Sequence, residues 1–294
     1  MSNSTFYTRQ EPSLELAWAR TFLELVEHPS RELAPFTMSI ASASGFSLPN
    51  TLTHPLAKAL DASMKHETGQ EIEKVAFPIF PERLWKVSGG DRQEFYAEFL
   101  KNQPIYVGWE PQKNKGGTYF GRLIGFGIDH RTGKDLGFKP SKTLTKEGNQ
   151  LEHVIRQCKR SVELGRSVAR MQLQASTFDP FRDLTTSGQP CFPCLQHIAF
   201  DPDIKAGRLA LTAFYATQQL FVKAYGNWLG LCRLGSFVAG ESGLKLTRFS
   251  CFVGVQKMDI APKAGSLRTE LIRAARDVVS QAANESRLVA ANVG

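Results

Sequence analysis

The chain has 294 residues, 42% of them hydrophobic, and a formal net charge of +8. That length and apolar content suit one large core-forming domain. The absence of any run of about 20 apolar residues excludes a bilayer-spanning helix, and Met1 to Arg9 lacks the basic-then-apolar pattern of a secretory leader. A cytoplasmic protein is therefore expected. Five cysteines, at 158, 191, 194, 232 and 251, are too scattered for a secreted disulfide framework and read as reduced thiols.

The first apolar pattern falls between residues 13 and 27, where Leu14, Trp18, Phe22 and Leu25 recur at helical spacing and Pro29 stops the helix. Arg31 lies in the connection that follows, ahead of a short apolar segment from Phe36 to Ile40, and the Ser, Gly and Pro content of 42–50 reads as loop. Pro81 supplies a first-turn residue for a helix over Glu82–Val87, and helix resumes from Asp91 to Leu100. Residues 109–118 and 129–149 are polar and glycine-rich, the second stretch being long enough for a lid or an insertion.

Leu151, Val154, Ile155, Cys158 and Val162 form one apolar helix face, which makes Cys158 a core residue, and Gly165 closes that helix. Alternation of Ala169, Met171, Leu173 and Ala175 with Arg170, Gln172 and Gln174 predicts a strand. Leu195–Phe200 and Leu209–Tyr215 read as a hairpin around a turn at 201–207. Residues 218–239, apolar nearly all round except Lys223, Asn227 and Arg233, read as a buried helix. A last strand over Lys245–Val255 is rich in β-branched and aromatic residues, and 267–282 reads as a mostly exposed amphipathic helix with Leu271, Val278 and Ala282 on one face. The irregular mixture of strands and helices places the chain in the α/β (α+β) class, with a mixed sheet.

Three segments carry candidate chemistry. Cys191-Phe192-Pro193-Cys194 has C-x-x-C spacing, but a strand follows it rather than the helix a redox dithiol needs. His197 offers a third zinc ligand and no fourth is near, so no metal site is expected. Cys194 can also be a lone nucleophile, given a nearby cation to favour its thiolate, or a small buried hydrophobe. Glu82 stands beside Leu84 and Trp85, where desolvation would suit a carboxylate to proton transfer, unless it merely faces solvent in a helix's first turn. Asn227 is an amide in an apolar helix and must find partners, either main chain or the donor–acceptor edge of a pyrimidine.

Taken in order, Glu82-Arg83-Leu84-Trp85, Tyr119-Phe120-Gly121, the helix from Leu151 with the Arg170 segment after it, Pro193-Cys194 and Gly226-Asn227-Trp228 resemble the motif series of thymidylate synthase and its pyrimidine nucleotide hydroxymethylase relatives. The corresponding family motifs are E-L-L-W, V-Y-G, P-C-H and P-F-N-I, and the likeness runs from about Leu14 to Met258. The resemblance implies a layered fold over residues 1–262, a large mixed β-sheet flanked by helices, followed by a C-terminal helical tail over 263–294. It also implies a homodimer through the sheet face. Cys194 would add to C6 of a pyrimidine, Glu82 would manage proton transfers, and Asn227 would hold the base edge, with Tyr119 also at the substrate. Arg31 and Arg170 would bind phosphate, and Trp85 and Trp109 would meet the one-carbon donor methylenetetrahydrofolate.

The chain also departs from the family. Thr217 stands where the family carries its principal phosphate arginine, Leu195 where it has a histidine after the cysteine, and Gln256 and Met258 where it has two sugar-binding side chains. The expectation is C5 methylation or hydroxymethylation of a pyrimidine nucleotide or nucleoside. The alternative is a non-catalytic relative that binds a nucleotide, nucleic acid or protein through its basic surface, of which Arg156, Lys159 and Arg160 form one cluster.

Overall fold

A computed structural model describes residues 6–46, 53–112, 114–184, 186, 192–259 and 265–293. The first strand, β1 (Tyr7–Glu11), was not expected from the sequence. Helix α1 (Leu14–Glu27) starts where Ser13 accepts a hydrogen bond from the Leu16 N–H, and it buries Leu14, Trp18, Phe22 and Leu25 as their spacing requires. After β2 (Glu32–Leu33), strand β3 (Phe36–Ala41) alternates, burying Phe36, Met38 and Ile40.

Helices α2 (Pro55–Thr68), α3 (Ile72–Ala76) and α4 (Glu82–Val87) follow. Helix α5 (Arg92–Trp109), capped by the Asp91 carboxylate, continues through Pro104 and past the expected stop at Leu100. Trp109 is thus the last residue of a helix rather than part of a loop. Helix α6 (Tyr119–Ile124) and helix α7 (Gln150–Leu164) are separated by the glycine-rich segment, and Gly165 ends α7 with φ 59°.

The strand expected from Ala169 is much shorter. Arg170–Gln172 form a 3₁₀ turn, held by the Gln172 N–H to Ala169 and the Leu173 N–H to Arg170, and β4 covers only Gln174–Ser176. Its ladder with the next strand spans those residues alone, and Met171, one of the apolar residues of the expected alternation, is exposed. A period of two is a strand signal only where a neighbouring strand takes up the backbone.

After α8 (Pro180–Asp183), strands β5 (Leu195–Asp203) and β6 (Arg208–Gln219) form the expected hairpin. A π-turn over Leu220–Ala224 leads into the buried helix α9 (Tyr225–Glu241), strand β7 (Lys245–Lys257) follows, and α10 (Ser266–Val293) ends the chain. Leu271 and Ala275 of α10 are fully buried, and the helix packs against α1 and α2.

Among the described residues the strands make one seven-stranded mixed sheet in the order β1-β3-β7-β6-β5-β4, with β2 beside β7. β1 runs parallel to β3 and β6 parallel to β7, while the other neighbours are antiparallel. The core lies between one sheet face and α9, and Phe36, Leu211, Phe249 and Val253 point into it. The opposite face carries Thr37, Ser39, Thr212, Phe214, Ser250 and Phe252, all at least partly exposed. No helix among the described residues is long and apolar enough to cross a membrane.

Candidate functional site

Strands β6 and β7 run side by side and end together, Thr217 against Val255 and Gln219 against Lys257. Cys194 sits immediately before β5, and its carbonyl accepts the Ala216 N–H of β6 at 3.2 Å. The thiol is thereby fixed beside the last residues of the central strands. The chain then passes through the π-turn into α9, which brings Lys223 of the turn and Asn227 of the helix, four residues apart, to the same cleft. The Asp259 carboxylate holds that turn by accepting the N–H groups of Phe221 and Val222 at 3.0 and 3.3 Å.

The facing wall comes from α6. Thr118 caps it by accepting the Gly121 N–H at 3.1 Å, and the Phe120 N–H donates to Pro78, tying this wall to the end of α3. Between the walls is a cleft of about 430 Å³, onto which Tyr119, Cys194, Thr217, Gln218 and Asn227 all face. That volume suits a small molecule of nucleotide size. Lys74, Lys223 and Lys257 also line the cleft, with Glu110 as an acidic residue there.

Burial pushes the Cys194 thiol above its ordinary pKa, and the charges of Lys223 and Lys257 pull it back. Burial likewise raises the Tyr119 phenol, helped by the nearness of Cys194 and opposed by the backbone N–H groups of Leu195 and Cys194. Tyr119 therefore stays a neutral phenol near Cys194. Asn227 is only 7% exposed, yet among the described residues its side chain makes no hydrogen bond. Gln218 accepts from the Trp228 indole N–H at 3.0 Å, while its buried Nε2 has no partner. A buried amide nitrogen without a partner is costly, and Gln218 carries that cost beside the cleft.

The floor is rigid. Arg122, 2% exposed, makes a two-pronged ion pair with Asp183 at 2.6 and 2.8 Å and donates to the carbonyls of Gly116 and Thr177. His130 lies under the same loop. Its Nε2 donates to the Gly125 carbonyl at 2.9 Å, its Nδ1 is buried without a partner, and burial lowers its pKa to about 4. Gly117 has φ 93°, and a Cβ there would stand 2.2 Å from that Nδ1, so only glycine fits over the ring.

The structure brings together Cys194, Asn227 and Tyr119 of the residues expected at the site, and leaves the others outside the cleft lining. Glu82 is a correction: its carboxylate reaches Lys86 and the Arg233 Nε, each at 3.2 Å. Arg233 is a guanidinium only 9% exposed on α9, also gripped by Glu73 at 2.7 and 2.8 Å, and a buried cation of this kind requires counter-charges. Trp85 packs against Phe95 and Phe237 at ring distances of 5.4 and 4.9 Å, inside an aromatic cluster. Trp109 is exposed and rests on Phe77 and Tyr106. Arg31 is exposed in a left-handed turn with φ 56°, and Arg170 is exposed and paired with Asp201.

Cys191 lies outside the described residues. His197 bonds to Gln174 at 2.8 Å, and no group of three metal-ligating side chains occurs among the described residues. Sequence reasoning missed the cleft's lysines. The available signal was Lys223, a charge in an apolar stretch one helical turn before Asn227. No family model matches the chain, and no curated protein matches it at a significant level.

Proposed function

We propose that the chain is a thymidylate-synthase-like enzyme that activates C5 of a pyrimidine nucleotide or nucleoside toward a one-carbon unit, with Cys194 as nucleophile. The observation that carries this reading is that Cys194 and the unpartnered Asn227 amide face one cleft of about 430 Å³. A carboxamide presents a donor and an acceptor side by side, which matches the carbonyl and ring N–H of a uracil edge.

In the proposed reaction the Cys194 thiol gives up its proton and its sulfur bonds to C6 of the ring. The electron pair of the C5–C6 double bond moves onto C5 and the adjoining carbonyl, making C5 nucleophilic. C5 then takes an electrophile, of which a proton is the simplest. Loss of the original C5 hydrogen as a proton and expulsion of the sulfur restore the double bond. Tyr119, near Cys194, would donate and recover a proton; Glu82, paired with Arg233, is not assigned that role. Trp85 and Trp109, expected to meet methylenetetrahydrofolate, do not line the cleft, so no step is assigned to a folate.

The test is release of tritium from C5 of uracil and cytosine nucleotides and nucleosides, comparing the wild type with Cys194→Ala. Cys194-dependent release supports the proposal; no release from any of these compounds would sink it. A second reading, binding without catalysis, draws on the burial that keeps the resting thiol protonated at neutral pH. It predicts that Cys194→Ala leaves function intact while neutralising Arg156, Lys159 and Arg160 of α7 lowers salt-dependent binding to nucleic acid.

The proposed thymidylate-synthase-like layering includes a homodimer through the outer sheet face. Support comes from the partly exposed pair Phe214 and Phe252, stacked at 5.7 Å in the middle of that face between small residues such as Ser39 and Ser250. Sedimentation of the wild type and of Phe252→Lys tests this: a wild-type monomer refutes it.

A further inference from the structure

His130 is a buried titratable side chain that the proposed reaction does not use. It is 5% exposed and lies in the segment after α6, yet its ring reaches back under the cleft wall. A carbonyl oxygen only accepts, so the 2.9 Å bond to Gly125 puts the ring proton on Nε2 and leaves Nδ1 as a bare lone pair. That nitrogen lies against two glycines: a Cβ would stand 2.2 Å from it at Gly117 and 2.7 Å from it at Gly121. Between them, Thr118 accepts the Gly121 N–H at 3.1 Å and bonds to the buried Gln103 amide at 3.2 Å. Gly117, Thr118 and Tyr119 all line the cleft, and the backbone N–H groups of Leu195 and Cys194 bear on the Tyr119 phenol. The imidazole is therefore the packing beneath the segment that forms the wall facing Cys194.

We propose that His130 is a positioning residue: its unprotonated ring holds residues 117–119 against the cleft, and proton uptake at Nδ1 releases that wall. A proton there needs an acceptor, and among the described residues Nδ1 has none. The charged groups facing the ring are Arg122 on α6 and Arg182 on α8, which repel a second proton, and Asp129, which attracts it. Asp129 already accepts the N–H groups of Arg131 and Thr132 at 2.9 and 2.8 Å. From α5 the facing group is the neutral Gln103, bonded to Thr118. With the wall closed, burial keeps the ring neutral down to about pH 4. Once the wall lifts and water reaches Nδ1, the ring returns toward its ordinary 6.5. The open form thus binds more protons between these values, and each unit of pH below about 6.5 shifts the balance about tenfold toward it. The wall responds in this way whatever ligand the cleft takes, so the switch stands or falls apart from the pyrimidine reading.

Hydrogen–deuterium exchange of the full chain tests it, read on a peptide spanning 117–124 between pH 7 and pH 5 and corrected for intrinsic exchange. The N–H groups of Phe120, Gly121 and Arg122 are all bonded while the wall is closed. Their protection is expected to fall about tenfold per pH unit below about 6.5, while staying well below that of peptides from β6 and β7. His130→Gln, with no group to titrate, loses that slope. Gly117→Ala, whose Cβ meets Nδ1, is expected to exchange at pH 7 as the wild type does at pH 5. In the same variant, alkylation of Cys194 by iodoacetamide at pH 7, read on its own peptide by mass spectrometry, runs several-fold faster than in the wild type. A flat wild-type profile overturns the switch, as does an unchanged slope in His130→Gln or wild-type exchange in Gly117→Ala. Equal protection of 117–124 and of the β6 and β7 peptides at every pH also overturns it, because exchange then reports global unfolding. If His130→Gln does not fold, the wild-type profile decides.

Discussion

Asn227 shows how a residue can be idle in the fold and useful to the site. The residue is 7% exposed and its side chain has no hydrogen-bond partner among the described residues, so Asn227→Leu, similar in size, removes no bond of the fold. Asn227→Leu is expected to leave the thermal midpoint unchanged or raise it, by up to about 1 kcal/mol of stability, while abolishing protection of Cys194 by a pyrimidine nucleotide. A scanning-fluorimetry series beside the alkylation assay checks both halves. His130 gives a pH signature. The folded protein keeps it neutral down to about pH 4, against an ordinary value of 6.5, so between these values the unfolded chain binds more protons. Stability is therefore lost as pH falls from about 6.5 toward 4, and this ring contributes on the order of 3 kcal/mol to the loss. Urea titrations at pH 7 and pH 4.5 should show a smaller fall for His130→Gln than for the wild type. Of these two residues only Asn227 was legible in the sequence, because an amide in an apolar helix is conspicuous, whereas nothing local to His130 announces the glycine loop above it.

Helix α9 is the element on which the cleft depends. With the π-turn before it, which holds Lys223, it brings Asn227 to the ends of β6 and β7 and is pressed against α3, where a Cβ on Gly226 would lie 2.7 Å from the Val75 Cβ and one on Gly230 2.9 Å from the Ala76 carbonyl. Because α3 also supplies Lys74 and Val75 to the cleft, the spacing between these helices sets its width. Gly230→Ala forces them apart and is expected to cost about 1–3 kcal/mol, measured as a lower urea midpoint at unchanged slope. The apolar run of 218–239 announced this helix, but not the π-turn over Leu220–Ala224, which the Asp259 carboxylate holds from beyond the next strand. The 169–175 segment failed as a strand for the complementary reason: its pattern was local, and the neighbour it needed was absent over Arg170–Gln172.

At the scale of the whole molecule, Arg122 links α6 through Asp183 to α8 and through the Thr177 carbonyl to the segment after β4. Arg122→Met leaves the Asp183 carboxylate buried and unpaired, and is expected to cost about 3–5 kcal/mol. Adding Asp183→Leu should recover much of that loss in urea denaturation, because both charges are then gone. By itself the sequence determined the mixed α/β class, the opening helix, the hairpin, the buried helix, the last strand and the burial of Cys158, since each follows from a periodicity or cap within a few residues. It also placed Cys194 before a strand and Asn227 in a helix. Only the tertiary structure decided which candidates meet. It drew Glu82 to Arg233, left Arg31, Arg170, Trp85 and Trp109 outside the cleft, and brought Lys223 and Lys257 to Cys194. The physical reason is that burial and charge pairing depend on neighbours far apart in sequence. A buried guanidinium takes whichever carboxylates the packing offers, and a lysine becomes part of a site only when a strand end and the turn before a helix are folded to the same place.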